Sequence, residues 1–292
     1  MRILLTGTAG LVGSTLAATL GPKHQVYGIC RRPLPAAAPV TPLDVDLGTE
    51  WSTAALPSSV DAVIHLAQSN RWQEFPEQAA DIFAVNVAST ARLLDYAVRA
   101  GATQFVLAST GGLYGSSESA LTEDSLLKTH DGPLRFYFET KRAAEMLALA
   151  YSGRLRVSIL RPFFIYGAGQ RSPKLVPRLI DAVRRGAPVP LRGESGTILN
   201  PVAVEDVSNL VEACLRDGYH GIVNVSGGQV TSVRSMAIRI AELLGVKPSF
   251  HNEPGVAEQF VADTRLMSHL LGATPTGFDD GIAHLLDRSG VL

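Results

Sequence analysis

The stretch YFETK at residues 137–141 places a tyrosine four residues before a lysine. If the stretch is helical, Tyr137 and Lys141 lie one turn apart on the same helix face. A phenol held beside an ammonium can exchange a proton with a substrate oxygen, which is general acid/base chemistry. The same spacing also arises on ordinary packed helices, so these five residues alone leave both interpretations open.

A second stretch with chemical potential, LLTGTAGLVGSTLAATL, carries Gly7, Gly10 and Gly13 in a G-x-x-G-x-x-G pattern. Glycine allows positive φ and lets backbone N–H groups approach a ligand closely. The free N–H groups at a helix N-terminus suit a pyrophosphate. Because the triplet follows a strand-like run and precedes a helix-like run, it predicts a dinucleotide-binding turn rather than a purely structural one.

The residues after the next apolar run indicate which dinucleotide binds. An Asp or Glu there would accept hydrogen bonds from an NAD ribose. Cys30 holds that position instead, and Arg31 and Arg32 follow it. Guanidinium groups pair bidentately with a 2′-phosphate, although two arginines also commonly begin an exposed loop. We therefore predict NADP as the cofactor, with NAD as the second choice.

These residues must be positioned by the surrounding elements, which alternate between short apolar runs and longer amphipathic stretches. The strand candidates are Arg2–Thr6, Gln25–Cys30, Ala62–Leu66, Phe105–Ser109, Arg156–Leu160 and Gly221–Val225. The helix candidates are Leu11–Leu20, Ala79–Ala100, Tyr137–Tyr151, Lys174–Arg185, Glu205–Arg216 and Val233–Leu244. Apolar runs without polar alternation are typical of strands buried on both faces. The pattern predicts an α/β fold with a Rossmann-like, doubly wound parallel sheet.

The alternation also suggests a division of the chain, because it becomes irregular from Tyr166 to Leu199 and again after Ser226. We predict an NAD(P)-binding Rossmann domain over residues 1–165, with a returning segment near 201–225. Residues 166–200 and 226–292 are predicted to form a smaller C-terminal substrate-binding lobe. The proline-rich segment Arg32–Leu43 is interpreted as a surface loop after the second strand.

The composition of the chain bears on which macromolecular partners, metals and cellular compartment are expected. Lys and Arg number 26 against 27 Asp and Glu, which favours neither nucleic acid nor an anionic membrane as a partner. The sequence lacks a run of about 18 apolar residues, so we expect no membrane span. The seven histidines lack H-E-x-x-H spacing, and we expect no metal. Cys30 and Cys214 lie in apolar-rich segments and are predicted to be buried free thiols, which together with the absence of a signal-peptide pattern predicts a cytoplasmic protein.

Taken together, the motifs resemble the extended short-chain dehydrogenase/reductases of the NAD(P)-dependent epimerase/dehydratase family. TGTAGLVG resembles the dinucleotide turn of that family, DVDLG its third-strand segment, VIHLAQ its fourth-strand segment and NVASTARLLDYAVRAG the helix that follows. FVLASTGGLYG, YFETK, RPFFIYGAGQ and NPVAVEDVSNLVEACL resemble F-V-x-x-S-S-x-x-V-Y-G, Y-x-x-x-K, R-P-F-N-V-Y-G-P-G and F-I-H-V-x-D-V-A. The matches run in order from residue 3 to about residue 215.

The resemblance implies a role for each residue of a relay. Tyr137 is the general acid/base, and Lys141 lowers the phenol pKa and holds the nicotinamide ribose. Thr110 hydrogen-bonds the substrate oxygen, with Ser109 as the second choice for that role. The implied cofactor contacts are Gly7, Gly10, Leu11, Val12, Gly13, Arg31, Arg32, Asp46, Leu47, Leu66, Ala67, Gln68, Asn86, Ser109, Tyr137, Lys141, Pro162 and Ile165. The implied substrate contacts are Thr110, Gly111, Gly112, Tyr137, Phe164 and Arg171.

Departures from the family pattern also carry information. Dehydratases of the family place acidic residues directly after the catalytic threonine, whereas Gly111 and Gly112 stand there in this chain. This argues against dehydration and favours alcohol oxidation, ketone reduction or epimerisation through a keto intermediate. Phe164 replaces the asparagine of R-P-F-N-V-Y-G, and Leu199 aligns with an arginine that reaches the diphosphate in many nucleotide-sugar enzymes.

We therefore expect an NAD(P)-dependent oxidoreductase or epimerase acting on a sugar-like alcohol or ketone, nucleotide sugars included. One alternative is a reductase of a less polar carbonyl compound, which Phe163 and Phe164 favour. Another is a non-catalytic NADP-sensing protein, against which the intact Thr110, Tyr137 and Lys141 argue. The resemblance also implies a homodimer formed through the two helices that correspond to Ala79–Ala100 and Tyr137–Tyr151.

Overall fold

The computed structural model of the chain describes residues 1–31, 38–170 and 172–288. The strands, in chain order, are β1 (Arg2–Thr6), β2 (Gln25–Ile29), β3 (Thr41–Leu43), β4 (Ala62–His65), β5 (Gln104–Ala108), β6 (Arg156–Pro162), β7 (Ile165–Tyr166), β8 (Val189–Arg192), β9 (Ile198–Leu199), β10 (Val202–Ala203), β11 (Gly221–Val225), β12 (Thr231–Ser232), β13 (Phe250–Glu253) and β14 (Gln259–Phe260). The α-helices are α1 (Leu11–Leu20), α2 (Ala79–Phe83), α3 (Ser89–Arg99), α4 (Arg135–Ala150), α5 (Leu175–Arg184), α6 (Val204–Asp217), α7 (Val233–Leu244), α8 (Arg265–Leu271) and α9 (Phe278–Arg288).

The main sheet has seven strands in the order β11-β6-β5-β4-β1-β2-β3. Its pairs from β3 to β6 are all parallel. The middle residues of the central strands are mainly apolar because both faces are covered, and Ile3, Leu4 and Leu5 of β1 are fully buried. The predicted Rossmann-like, doubly wound α/β fold is confirmed.

The strand order reverses between β1 and β4. The chain proceeds from β1 to β2 and β3 on one side, and from β4 to β5 and β6 on the other. In open parallel sheets, ligands bind at the carboxyl ends of the strands at such a switch point. Gly7 follows β1 and Ala67 follows β4, and a Cβ atom added to Gly7 would lie 3.0 Å from the backbone nitrogen of Ala67. The topology therefore brings these two loops together.

One predicted loop contains a strand. Thr41–Leu43, interpreted from the sequence as part of a surface loop, forms β3, which pairs in parallel with β2. Strand β3 is difficult to recognise in the sequence because it has only three residues and because Pro42 lacks a backbone N–H donor. An edge strand tolerates a proline, and β3 is at the edge of the sheet. The DVDLG segment, likened to a third strand, follows β3 and is not itself a strand.

The predicted helix Ala79–Ala100 is not one uninterrupted α-helix. A π-helical turn, Ala84–Ala88, separates α2 from α3. Such a turn inserts an extra residue and changes which face the following residues present, which a 3.6-residue pattern does not reveal. Val85, Asn86 and Val87 in this turn are buried.

The described chain divides into two compact units. The first comprises Met1–Leu113, Leu127–Arg161 and Ser208–Val223, and the second comprises Tyr114–Leu126, Pro162–Val207 and Asn224–Leu292. The assignment of a cofactor-binding domain and a substrate-binding lobe stays a prediction.

The second unit has its own apolar core, in which α5, α7 and α9 contribute Leu179, Ile240 and Phe278. Its strands are short: β7 pairs with β10, β8 with β13, and β9 with both β12 and β14. Sequence analysis missed these strands because two to four residues do not form a recognisable apolar run.

None of the helices in the described ranges is both long enough and apolar enough to cross a bilayer.

Candidate active site

The glycine turn after β1 is built as its spacing predicts. Gly7 has φ of 73°, and its carbonyl oxygen accepts a 2.9 Å hydrogen bond from the Gly10 nitrogen. A Cβ atom on Gly13 would lie 2.1 Å from the Gly7 oxygen, so only glycine fits there. Helix α1 begins directly afterwards with no side-chain cap on Gly10. The first-turn N–H groups, including those of Leu11 and Val12, are therefore available to an anion.

The loops after β2 and β3 contain the predicted adenosine-side contacts. The Arg31 guanidinium lies 4.0 Å from the Asp46 carboxylate, and about half of each side chain is exposed. The Asp46 carboxylate also accepts a 2.9 Å hydrogen bond from the Gly48 nitrogen, while Leu47 is buried. Arg32 lies outside the described residues.

The thiol of Cys30, predicted to be buried, is half-exposed, because it lies at the end of β2 rather than within it. Its pKa is raised by burial and by the nearby Asp44 carboxylate. The position that commonly carries an acid in NAD-binding proteins of this fold is therefore neutral. The prediction for Cys214 is confirmed, since its thiol is free and buried.

The loop after β4 is hydrogen-bonded to the end of β1, directly before the glycine turn. The Ala67 nitrogen donates a 3.1 Å hydrogen bond to the Thr6 hydroxyl, which also contacts the His65 ring at 2.7 Å. The other nitrogen of His65 lies 3.1 Å from the Thr90 hydroxyl. Burial lowers the pKa of His65 to about 3, with the positive charge of Lys141 acting in the same direction. His65 is thus a neutral structural residue that fixes the two loops.

Asn86 lies in the π-helical turn and is only 2% exposed. Its amide oxygen accepts a 3.0 Å hydrogen bond from the Ser69 nitrogen, and its amide nitrogen donates one of 3.0 Å to the Thr140 hydroxyl. The amide thus joins the loop after β4 to helix α4. The cofactor contact implied for Asn86 stays a prediction.

Helix α4 carries Tyr137 and Lys141 on one face, and both side chains are buried. The Tyr137 hydroxyl donates a 3.2 Å hydrogen bond to the side-chain oxygen of Gln68. The Lys141 ammonium donates a 2.7 Å hydrogen bond to the carbonyl oxygen of Ala108, at the end of β5. The structure therefore brings Tyr137, Lys141 and the loop after β4 together.

The end of β5 supplies the predicted hydroxyl partners. The Thr110 hydroxyl accepts a 3.1 Å hydrogen bond from the Gly112 nitrogen, and Thr110 lowers the pKa of the Tyr137 phenol. The Ser109 hydroxyl is buried and has no hydrogen-bond partner among the described residues. Of the two, Thr110 is the one that influences the pKa of Tyr137.

Burial dominates the acidity of the two central groups. Burial raises the pKa of Tyr137 to about 12, and the hydrogen bond with Thr110 only partly offsets this. Burial lowers the pKa of Lys141 to about 8, against the opposing charge of Glu145. The phenol is therefore protonated at neutral pH in this structure. The lowering of its pKa that the sequence predicts from Lys141 acting together with an oxidised nicotinamide stays a prediction.

Several features fit the dinucleotide that the sequence predicts. A glycine cradle that a Cβ atom would fill faces uncapped helix N–H groups, which suits an anionic diphosphate. The unpaired Ser109 hydroxyl lies buried at the end of β5, where it retains a free hydrogen-bonding capacity.

Some predicted contacts belong to the second unit. Pro162 ends β6 and Ile165 begins β7. Phe164 is 39% exposed with φ of 47°, and its ring lies 6.0 Å from that of Phe260. Phe163, offered as a contact for an apolar substrate, is buried and stacked at 6.1 Å on Tyr114, so it packs in the core instead. Arg171 lies outside the described residues.

Sequence analysis missed a buried ion pair next to Lys141. Arg161 donates hydrogen bonds of 2.9 and 2.6 Å to the two carboxylate oxygens of Glu145, and both side chains are 4% exposed. Glu145 follows Lys141 by one helical turn, so the spacing was a usable signal. Its partner on β6 could not be inferred from helix spacing.

The comparisons with known proteins agree with this geometry. The family model described as the NAD dependent epimerase/dehydratase family matches residues 3–226. A dTDP-glucose 4,6-dehydratase from Streptomyces griseus is 31% identical over 232 residues, covering 76% of this chain and 70% of the relative. The chain spans 46% of the length of a trifunctional UDP-glucose 4,6-dehydratase, epimerase and reductase from Arabidopsis thaliana, to which it is 25% identical.

Two solved structures align with the whole of this chain and the whole of their own. MoeE5 in complex with UDP-glucose and NAD is 31% identical with a TM-score of 0.83. The UDP-glucose 4-epimerase of Thermus thermophilus, in complex with NAD, is 27% identical with a TM-score of 0.81.

The buried ion pair yields a stability prediction. Arg161→Met should lower the free energy of unfolding by about 3–5 kcal/mol, because it leaves the Glu145 carboxylate buried without its partner. The double variant Glu145→Leu with Arg161→Met should recover much of that loss, since it removes both charges. Denaturant unfolding measures each value.

The control is Arg99→Met, which breaks an ion pair with Asp95 whose side chains are 61% and 56% exposed. It should cost about 1 kcal/mol or less. An equal effect of Arg99→Met and Arg161→Met would contradict the assignment.

Proposed function

The chain belongs to the NAD dependent epimerase/dehydratase family and is an enzyme of the extended short-chain dehydrogenase/reductase type, and we propose that it catalyses hydride and proton transfer at a carbinol or keto carbon of a nucleotide sugar. Epimerisation or simple oxidation and reduction is the proposed outcome. The observation that carries the proposal is the buried Tyr137 phenol, which shares a helix face with Lys141 and whose pKa is lowered by Thr110. The nucleotide sugars bound by relatives of the same fold support the substrate class.

Tyr137 is proposed as the general acid/base. With its pKa raised to about 12 by burial, the phenol holds a proton that it can donate to a developing alkoxide. To act as a base, it needs a stabilising positive charge nearby. A bound oxidised nicotinamide would supply such a charge and the hydride-accepting chemistry.

Thr110 and Lys141 are proposed to support Tyr137 from two sides. Thr110 lowers the pKa of the phenol, and its hydroxyl can hydrogen-bond the same substrate oxygen. Lys141 is anchored by the carbonyl of Ala108, which places its ammonium one turn from the phenol. Its predicted contact with the nicotinamide ribose is part of this proposal.

Dehydration is disfavoured by the packing around Gly112. A Cβ atom on Gly112 would lie 2.5 Å from the Phe138 ring, so a carboxylate side chain has no room there unless the ring moves. Phe138 is itself held between neighbouring rings, 4.1 Å from His130 and 5.4 Å from Tyr137. The acids that dehydratases of the family place after the threonine are therefore absent, and a side chain at position 112 would require the Phe138 ring to move.

Phe164 favours a second candidate function, reduction of a less polar carbonyl compound. A positive φ is uncommon for an aromatic residue and is better tolerated by asparagine, the residue of the family motif at this position. Retaining a strained, exposed phenylalanine indicates that its ring is used, because such strain concentrates at functional sites. The non-catalytic alternative is weaker, since the phenol, the ammonium and Thr110 are all in place.

The cofactor proposal concerns the choice between NAD and NADP. Relatives of this fold bind NAD. The half-exposed Arg31 and the neutral Cys30, at the position that commonly carries an acid, still favour a 2′-phosphate, with the Asp44 and Asp46 carboxylates nearby as the opposing charges. We propose NADP as the preferred cofactor, with NAD as the alternative.

We also propose a homodimer formed through α2 and α4 of the first unit, which pack against each other. Phe83 of α2 is 52% exposed, and Met146 and Leu149 of α4 are 67% and 41% exposed. Met146 and Leu149 are three residues apart and share a helix face. Exposed apolar side chains on two adjoining helices fit a second copy of the same surface.

The relay is tested on purified protein with UDP-glucose and dTDP-glucose, following the products by NMR. Tyr137→Phe should lower turnover by about 10²- to 10⁴-fold because the proton donor is lost. Thr110→Val should also lower turnover, and the two effects should not add because both groups serve one oxygen. Lys141→Met should lower turnover and weaken cofactor binding.

The matched control is Tyr151→Phe, which removes a hydroxyl at the end of the same helix. It should leave turnover unchanged. Undiminished turnover of Tyr137→Phe would rule out the proposed role of the phenol.

Cofactor preference is measured by titration with NADPH and NADH. NADPH should bind more tightly, and the double variant Arg31→Ala with Arg32→Ala should remove most of the difference. Each charge-assisted contact contributes about 1.5–3 kcal/mol, so the loss should exceed tenfold. Equal affinities, or tighter NADH binding, in the unmutated protein would assign NAD instead.

The dimer is tested by size-exclusion chromatography with light scattering. Met146→Glu with Leu149→Glu should convert the dimer to a monomer, because two charges would be buried in the contact. Leu126→Glu, at a leucine of the second unit that is 89% exposed, is the control and should leave the dimer intact. A monomeric unmutated protein would refute the proposal.

A further inference from the structure

We propose that Gln68 is a positioning residue that acts on the proposed acid/base Tyr137, holding the phenol in its protonated, proton-donating state. The inference rests on the role assigned to Tyr137 above and adds a residue to it. Sequence analysis gave Gln68 only a cofactor contact, through the likeness of VIHLAQ to a strand segment beside the cofactor. The structure instead directs its side chain at the phenol.

The contact itself is direct. The Tyr137 hydroxyl donates a 3.2 Å hydrogen bond to the Gln68 side-chain oxygen. Tyr137 is 8% exposed, and the ring of Trp72, from the same loop as Gln68, lies 5.2 Å from the tyrosine ring. Because water has little access, the direction of this hydrogen bond matters more than it would at the surface.

Further hydrogen bonds fix the backbone next to Gln68 and the backbone of Tyr137. The nitrogen of Ser69, next to Gln68, donates to the Asn86 amide oxygen at 3.0 Å. The Asn86 amide nitrogen donates to the Thr140 hydroxyl at 3.0 Å, and that hydroxyl donates to the Tyr137 carbonyl oxygen at 2.7 Å. One buried amide thus ties the backbone beside Gln68 to the backbone of Tyr137. The hydrogen bond between their side chains is therefore built into the fold.

The chemistry follows from which group donates. The Gln68 amide oxygen accepts from a neutral phenol and offers nothing to a phenolate, so Gln68 in this orientation favours the protonated form. Thr110 has the opposite effect, since it lowers the phenol pKa. The two residues therefore act in opposite directions, and Gln68 opposes release of the proton.

Within the described part of the chain, two other titratable groups are relevant to the phenol. Lys141 lies one turn along α4, with its ammonium directed to the Ala108 carbonyl. His130 contacts Phe138, the residue after the tyrosine, at 4.1 Å. Neither is altered by a substitution at Gln68, so a changed phenol pKa in such a variant reports on Gln68 itself.

The test measures the phenol pKa without any substrate. Fluorinated tyrosine is incorporated, because its more acidic phenol titrates while the protein stays folded, and the ¹⁹F resonance absent from Tyr137→Phe is followed against pH. Gln68→Met should lower the phenol pKa by about half to one unit, a three- to tenfold change in the ratio of phenol to phenolate. Gln68→Glu should raise it by about one unit or more, because a carboxylate disfavours the phenolate.

The matched control is Gln73→Glu, which adds the same charge at an exposed position of the same loop and should leave the resonance unchanged. A residue with a merely structural role would change the melting temperature without moving the phenol pKa in opposite directions. An unchanged phenol pKa in both folded Gln68 variants would overturn the proposal.

Measuring turnover with a nucleotide sugar distinguishes a failure of the Gln68 proposal from a failure of the proposed function. If the phenol pKa responds as expected but no sugar nucleotide is turned over, the assignment of Gln68 holds and the proposed function fails. If turnover depends on Tyr137 but the phenol pKa is the same in the Gln68 variants as in the unmutated protein, the proposed function holds and this inference fails.

Discussion

The side-chain amide of Asn86 is the interaction on which the arrangement around Tyr137 depends. Its oxygen and nitrogen are both used, one for the loop after β4 and the other for Thr140 on α4. A buried amide left without either partner would cost free energy, so the loop and the helix are held at one separation. The π-helical turn places Asn86 in the interior. In an uninterrupted α-helix, the residues after this point would lie on a different helix face. These two hydrogen bonds hold the loop that carries Gln68 beside the helix that carries Tyr137 and Lys141.

Burial then sets the chemistry of the groups that are held there. It raises the pKa of Tyr137 to about 12 and lowers that of Lys141 to about 8, and in each case it favours the neutral form. The ion pair of Glu145 and Arg161 places a compensated carboxylate one turn from Lys141, and this carboxylate keeps the lysine more basic than burial alone would. A bound cation would shift the phenol equilibrium toward the phenolate. The Tyr137 phenol carries its proton at neutral pH, and it can act as a base only when such a charge is present.

Much of this architecture could be predicted from the sequence because it is locally encoded. Strands β1 and β11 and helices α1 and α7 have the predicted bounds, since apolar runs and glycine turns mark their ends. The spacing of Tyr137 and Lys141 correctly predicts one helix face. The edge strand β3, the π-helical turn and the short strands of the second unit have no comparable local signal. Hydrogen-bond partners that are distant in sequence could not be predicted either. Neither the acceptor of the Tyr137 hydroxyl nor the carbonyl that anchors Lys141 follows from spacing along the chain.

The central claim, that the enzyme moves a hydride from and to a sugar carbon with Tyr137 handling the proton, can be tested most directly with an isotope. A UDP- or dTDP-glucose deuterated at C4 is incubated with the protein in ordinary water, and the products are analysed by mass spectrometry and NMR. The account predicts an epimerised product that retains deuterium at C4, because the hydride leaves and returns without exchanging with water. A product carrying solvent hydrogen at C4, or a 4-keto-6-deoxy sugar, would contradict it.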